Sequence, residues 1–386
     1  MSTPVTATSL AATVAAMKRA HIQDGPASAE LRQDRLSRAM TLLSTHHREL
    51  VDAVNADFGH RAAYQTLAAD IMSSLGALRH AREHLVQWMQ PEEQPAPAPG
   101  MQARIQYQPL GVVGIISPWN FPINLAFSPL AGVLAAGNRA LIKPSELTPR
   151  TSALMGELIA RYFDPMEIGT VLGDASVGAA FSGQAFDHLI FTGGTNVGRQ
   201  VMRAAAENLV PVTLELGGKS PVLVDTDADL QTAAERILTV KTFNAGQICI
   251  APDYVMLPAS AQDAFVTHAR AFVSRVFPAL HTNPDYTAII SERHFQRLQA
   301  LLDDARAQGA TVVELQPAGE PLADATTRKM APTLVLGATD AMRVMQEEIF
   351  GPILPVFEFR EMEEALSVIR RNPNGKPYTF KTNLDL

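Results

Sequence analysis

His188-Leu189-Ile190-Phe191-Thr192-Gly193-Gly194-Thr195-Asn196-Val197-Gly198 reads as a short β-rich run, a glycine turn and the start of a helix. A strand that turns on glycine into a helix presents backbone N–H groups at the helix N-terminus, where a phosphate can be held. The segment is not a G-x-G-x-x-G fingerprint, and a tight strand-to-helix connection explains the glycines equally well. Similar apolar runs lie at Gly111 to Ser117, Ala140 to Lys143, Val212 to Leu216 and Val222 to Val224, with helical stretches between them. This alternation predicts βαβ units and a mostly parallel sheet covered on both faces, so the fold class is α/β.

Toward the C-terminus the pattern restarts. A helix is expected from about Ala228 to Thr242 and another from Ala261 to Phe277. Strands are expected at Tyr254 to Leu257, Thr311 to Leu315, Thr333 to Leu336 and Ile353 to Phe359. We place the domain boundary at Gly217 and Gly218, giving domains 1–216 and 217–386. Toward the N-terminus, apolar residues from about Ser28 to Met89 recur at three- and four-residue spacing, as in Leu36, Met40, Leu43 and in Leu67, Ile71, Leu75, which predicts two long helices. The stretch 91–100 holds four prolines and is expected to be a linker from these helices to the sheet.

At 386 residues the chain exceeds the size at which single cores stop growing. A net charge of −7 gives no electrostatic reason to seek nucleic acid. The single cysteine excludes an intrachain disulfide framework and a multi-cysteine metal site, which fits a reducing cytoplasm. No export signal is legible, and no apolar run approaches the roughly 20 residues that span a bilayer. No metal-binding H-E-x-x-H pair and no G-x-S-x-G elbow occurs.

The lone Cys249 follows Phe243-Asn244-Ala245-Gly246-Gln247-Ile248, where a helical pattern gives way to glycine and then Pro252. It is either a thiol exposed at an element end or an inert small hydrophobe, as most free cysteines are. Glu215 sits in Val212-Thr213-Leu214-Glu215-Leu216-Gly217-Gly218-Lys219, and a carboxylate ending an apolar strand is expected to be desolvated and raised toward general-base range. An ion pair with Lys219 is the bland alternative. Asn120, between Pro118 and Pro122, is a stiffly held amide suited to an oxyanion, or simply a turn residue. Lys143 and Glu146 end another strand, a pairing that suits the hydroxyls of an adenosine ribose or a solvated charge pair.

Taken together and in order, these segments resemble the aldehyde dehydrogenase family. The resemblance rests on Pro118-Trp119-Asn120-Phe121-Pro122, Lys143-Pro144-Ser145-Glu146, Phe191-Thr192-Gly193-Gly194-Thr195, Leu214-Glu215-Leu216-Gly217-Gly218-Lys219, Gly246-Gln247-Ile248-Cys249 and Glu347-Glu348-Ile349-Phe350-Gly351-Pro352. Through Ala56-Asp57-Phe58-Gly59-His60-Arg61 and Gly173-Asp174-Ala175 it is most similar to the coniferyl-aldehyde dehydrogenase branch. The resemblance implies a Rossmann-type NAD-binding domain over 1–216, an α/β catalytic domain from 217 on, and an active site between them. It implies Cys249 as nucleophile, Glu215 as base, and Asn120 with the Cys249 backbone N–H as oxyanion hole. For the cofactor it implies Lys143 and Glu146 at the adenosine ribose, Gly193, Gly194 and Gly198 at the pyrophosphate turn, and Ser117, Trp119, Glu348 and Phe350 around the remainder. Glycine at 194 replaces the more usual serine. NAD is the expected cofactor, NADP a second acceptor, and an aldehyde the substrate.

The resemblance runs from about Ser28 to about Lys376. Pro377 to Leu386 does not follow it, so the catalytic domain is expected to be incomplete, as after a truncation or frameshift. By the resemblance the missing part supplies a strand to a partner subunit, which puts the family's homo-oligomer in doubt for this chain. The alternative expectation is an inactive remnant that binds dinucleotide or associates with intact subunits.

Overall fold

The structure, a computed structural model, describes residues 6–96 and 98–371. The expectation about Pro377 to Leu386 falls outside those residues. The chain divides into two compact units: residues up to Asp57 with Thr66–Leu216, and Phe58–Gln65 with the residues from Gly217 on.

The first unit opens with helices α1 (Ala7–Asp24), α2 (Ala29–Thr45) and α3 (His47–Phe58). In place of a second uninterrupted helix, the helical pattern beyond α3 is broken. Gly59 adopts φ 75°, a left-handed conformation that ends a helix cheaply only at glycine. A short helix Ala63–Gln65, a π-helical stretch Thr66–Met72 and then α4 (Ser73–Trp88) follow. The expected proline linker is partly a ladder, because β1 (Glu92–Gln94) pairs antiparallel with β2 (Ala103–Ile105).

Next come β3 (Val112–Ile116), α5 (Asn124–Ala135), β4 (Arg139–Lys143), α6 (Pro149–Tyr162), β5 (Ile168–Thr170), α7 (Ala175–Ser182), β6 (His188–Gly193), α8 (Thr195–Ala206) and β7 (Val212–Leu216). The sheet order is β5-β4-β3-β6-β7 with every pairing parallel. Val112, Val113 and Ile115 of central β3 are all buried, as a strand covered on both faces requires. Carboxylates distant in sequence fix two of the helix starts in this unit. Asp57 accepts from the Arg150 and Thr151 N–H groups at α6 (3.0 and 2.8 Å), and Asp70 Oδ1 accepts from Ile123 and Asn124 N–H at α5 (both 3.0 Å).

The second unit carries β8 (Pro221–Leu223), α9 (Leu230–Thr242), β9 (Tyr254–Pro258), α10 (Gln262–Val276), α11 (Glu292–Ala307), β10 (Thr311–Glu314), β11 (Ala323–Asp324), β12 (Lys329–Met330), β13 (Thr333–Leu336), β14 (Ile353–Phe359) and α12 (Met362–Arg371). Its main sheet runs β10-β13-β14-β9-β8, parallel except for the β10–β13 edge. Phe58–Gln65 is stitched to this unit: Arg328 donates to the Phe58 carbonyl (2.7 Å) and Ala288 N–H to the His60 carbonyl (2.9 Å). No described helix is long and apolar enough to cross a membrane.

Candidate functional site

In the first sheet the strand order reverses between β3 and β6, and a crevice opens at the carboxyl ends of strands where such a reversal occurs. A cavity of about 380 Å³ lies there. Ser117 and Trp119 after β3, Lys143 and Glu146 at and beyond the end of β4, and Gly193 and Gly194 at and beyond the end of β6 all line it. The Ser117 N–H donates to the Lys143 carbonyl (3.1 Å), tying the two strand ends together.

The chemistry of the lining is specific. Lys143 is buried and its Nζ donates to Glu146 Oε2 at 2.7 Å, while Glu146 reaches the open side. Gly194 caps α8 without any side-chain hydrogen bond, so the N–H groups of that helix start remain available. Gly193 has no room for a side chain, since a Cβ there would meet the Phe191 ring at 2.6 Å. Ser117 Oγ is buried without a hydrogen-bond partner. A buried hydroxyl left unpaired beside an empty-walled crevice is what a polar ligand group would satisfy.

Gly198 is not among the lining residues. It lies one turn into α8, where a Cβ would meet Leu216 Cδ2 at 2.7 Å, so it serves close packing of α8 on β7. Asn120 follows Trp119 on the loop after β3 and is 3% exposed. Glu215 departs from the expectation of burial: it is exposed, on edge strand β7. Burial alternates along β7 and Glu215 shares the exposed face with Thr213, so the strand's apolar residues did not imply burial of its carboxylate. The ladder places Glu215 opposite Thr192, one step before Gly193.

The second unit presents the other candidates. Between α9 and Cys249 the backbone turns through three consecutive left-handed residues, Asn244 (φ 51°), Ala245 (φ 51°) and Gly246 (φ 73°). For a non-glycine residue this costs on the order of 1–2 kcal/mol, and Ala245 has no side-chain means of offsetting it. The turn is buried and pinned. Gln247 Nε2 donates to the carbonyls of Asn244 (3.0 Å) and Ala288 (3.1 Å), and its Oε1 accepts from Ile290 N–H (3.0 Å). Gly246 packs on the Gly351 carbonyl, which brings the cysteine turn against the loop that holds Glu348 and Phe350.

That loop rests on a buried charge cluster with no legible sequence signal. Lys219 pairs with Asp253, not Glu215, and donates to the carbonyls of Val344 (2.7 Å) and Glu347 (3.2 Å). Asp253 also accepts from Ile349 N–H (2.9 Å), and Arg297 donates to the carbonyls of Glu348 (3.3 Å) and Ile349. Burial, helped by the Asp253 carboxylate, pushes Glu348 up to about 7 against the pull of Gly218 N–H, Arg297 and Lys219.

Comparison with known proteins gives a consistent picture. Residues 3–380 match the aldehyde dehydrogenase family. A coniferyl aldehyde dehydrogenase of a Pseudomonas species is 58% identical over 95% of this chain and 76% of its own length. A probable coniferyl aldehyde dehydrogenase of Caulobacter vibrioides is 54% identical over 95% of this chain and 77% of its own. Among solved structures, substrate-bound AldH of Staphylococcus aureus aligns with a TM-score of 0.88 at 34% identity, covering 94% of this chain and 78% of that one. Indole-3-acetaldehyde dehydrogenase AldA of P. syringae, solved in complex with NAD+ and IAA, aligns at 0.85 with 28% identity over 95% of this chain and 75% of that one.

Proposed function

This chain belongs to the aldehyde dehydrogenase family, and on that premise we propose that Cys249, Glu215 and Asn120 carry the oxidation of an aromatic aldehyde of the coniferyl type to its carboxylic acid. The observation that carries the assignment is the strained, fully pinned turn that ends at the chain's single cysteine. Strain of this kind persists where the surrounding structure over-determines it, and it gathers at reacting groups. The match to the family gives no support to an inactive remnant.

The cavity residues fit a dinucleotide. Unpaired Ser117 Oγ, the uncapped start of α8 and the Lys143–Glu146 pair are the groups that a pyrophosphate and an adenosine ribose require. Lys143 and Glu146 would hold the ribose, Gly193 and Gly194 would face the pyrophosphate, and Trp119, Glu348 and Phe350 would serve the nicotinamide half. Glu146 favours NAD, with NADP as a second acceptor. When bound, the nicotinamide ring supplies the two-electron acceptor.

The Cys249 thiolate adds to the aldehyde carbon, forming a C–S bond and placing negative charge on the former carbonyl oxygen. The Asn120 side-chain amide and the Cys249 backbone N–H donate to that oxygen. Once the carbon is at the thioester level, Glu215 accepts a proton from water and the water oxygen attacks. The C–S bond then breaks and the thiolate is regenerated as the acid leaves. An exposed Glu215 is reachable by the water it must deprotonate.

By the same reading domain 1–216 is the cofactor domain and the chain from 217 the catalytic domain. The protein is assigned to the cytoplasm, where a lone cysteine stays reduced, and takes neither nucleic acid nor a membrane as partner. The test is formation of reduced dinucleotide by the purified chain with NAD and a panel of aromatic and aliphatic aldehydes, beside Cys249→Ala. Turnover that prefers aromatic aldehydes and vanishes in the variant is expected; turnover that survives it would overturn the assignment of Cys249.

A further inference from the structure

Of the two units, the second contains one segment from far upstream, Phe58–Gln65. This short excursion is tied down along its length. His60 Nε2 meets the Pro284 carbonyl (2.7 Å), Ala62 N–H donates to Thr287 Oγ1 (3.3 Å) and Ala288 N–H donates to the His60 carbonyl (2.9 Å). The excursion ends on Gln65, and the chain then departs through the π-helical stretch Thr66–Met72.

Gln65 is 1% exposed, and its side-chain oxygen accepts two hydrogen bonds. One comes from the backbone N–H of Asn244 at 2.9 Å, the other from Thr287 Oγ1 at 3.0 Å. Asn244 is the first of the three left-handed residues before Cys249. A backbone N–H in that conformation cannot join the ladder of α9, so it needs an acceptor from elsewhere in a dry interior. Gln65 Nε2 is itself oriented by the Tyr64 hydroxyl at 3.0 Å, which fixes which end of the amide faces the turn.

We propose that Gln65 is a positioning residue for Cys249: its side-chain oxygen holds Asn244 left-handed and so sets the direction in which the following turn presents the thiol. The proposal rests on Cys249 being the nucleophile. Without the acceptor, the turn relaxes toward an ordinary helical exit and Cys249 moves, and misplacing a reacting group by about 1 Å costs on the order of a hundredfold in rate.

The experiment compares Gln65→Met, which fills the volume without the acceptor, with Gln65→Glu, which keeps an oxygen at the same place. Because Cys249 is the only thiol, its second-order alkylation by iodoacetamide reads its presentation directly and needs neither cofactor nor turnover. In Gln65→Met the alkylation constant is expected to depart from wild type by more than about threefold, and kcat to fall by about tenfold or more with KM for NAD little changed. Gln65→Glu should recover most of both.

A folded Gln65→Met protein with wild-type alkylation and kcat would overturn the proposal. So would one that fails to fold, since Gln65 would then be a stability residue of the whole unit. Failure of the parent chain to oxidise aldehydes would sink the functional reading while leaving the alkylation comparison intact.

Discussion

The Glu348 carboxylate occupies the space that any side chain on Gly217 would need. Burial there, helped by the Asp253 carboxylate, raises Glu348 to about 7 against the pull of the Gly218 N–H, Arg297 and Lys219. A carboxyl group raised in the folded state stabilises the fold fully below its unfolded value of 4.5, and the contribution is lost as pH rises through 7. Glu348→Gln, which still accepts from Gly218, should therefore be more stable than the parent at pH 8, by about 1–3 kcal/mol. By pH 5 the two should melt together. Thermal melts at both values check this, and a variant less stable at pH 8 would mean that Arg297 and Lys219 outweigh the desolvation.

Gly246 is doubly constrained: its φ of 73° disfavours any other residue, and a Cβ would fall on the Gly351 carbonyl. Backbone cannot step aside as a flexible side chain can. Gly246→Ala is expected to cost about 3 kcal/mol or more and to abolish aldehyde oxidation even where folded protein is recovered. Gly132 sits in a helix where a Cβ would meet nothing within 4 Å, so Gly132→Ala is the control and should be neutral or stabilising.

Asp70 is wholly buried, and its Oδ1 satisfies two backbone N–H groups at the start of α5, directly after the Asn120 loop. Asp70→Ala strands both donors, which is expected to cost about 2–4 kcal/mol in denaturant unfolding. Asp70→Asn retains an acceptor and should recover more than half of that loss. Equal losses for the two would show that the charge, not the oxygen, is what α5 needs.

These effects separate what periodicity can reveal from what it cannot. The strands around Val112, Leu141 and Val255 were legible because burial on both faces demands an unbroken apolar run. The break at Gly59 was not, since a single left-handed residue interrupts a helix without disturbing the apolar period on either side. Strand Ile168–Thr170 escaped as well, being only three residues long, whereas helix Glu292–Ala307 carries the ordinary helical signal in Phe295, Leu298, Leu302 and Ala305. At the site, glycine turns and strand ends pointed to Lys143, Gly193 and Cys249. Gln65, Asp253 and Arg297 left no trace, because they act through backbone groups that are distant in sequence. Glu215 shows the converse failure, in which an apolar strand suggested burial that the strand's exposed face does not provide.

The pairing of Lys143 with Glu146 bears on cofactor choice. Lys143 is buried and its charge is answered by Glu146 at 2.7 Å, and the exposed carboxylate lines the cavity. Ribose hydroxyls can donate to it, whereas a 2′-phosphate would bring like charge against it at short range. Glu146→Gln keeps an oxygen acceptor for the hydroxyls and removes the repulsion. The ratio of kcat/KM for NADP to that for NAD is therefore expected to rise by about tenfold, equivalent to roughly 1.4 kcal/mol, with most of the change in the NADP value. Because Lys143 loses its counter-charge in this variant, part of the gain should fade as salt is raised and the phosphate's attraction to Lys143 is screened. An unchanged ratio at low salt would mean that the adenosine ribose lies elsewhere than between these two residues.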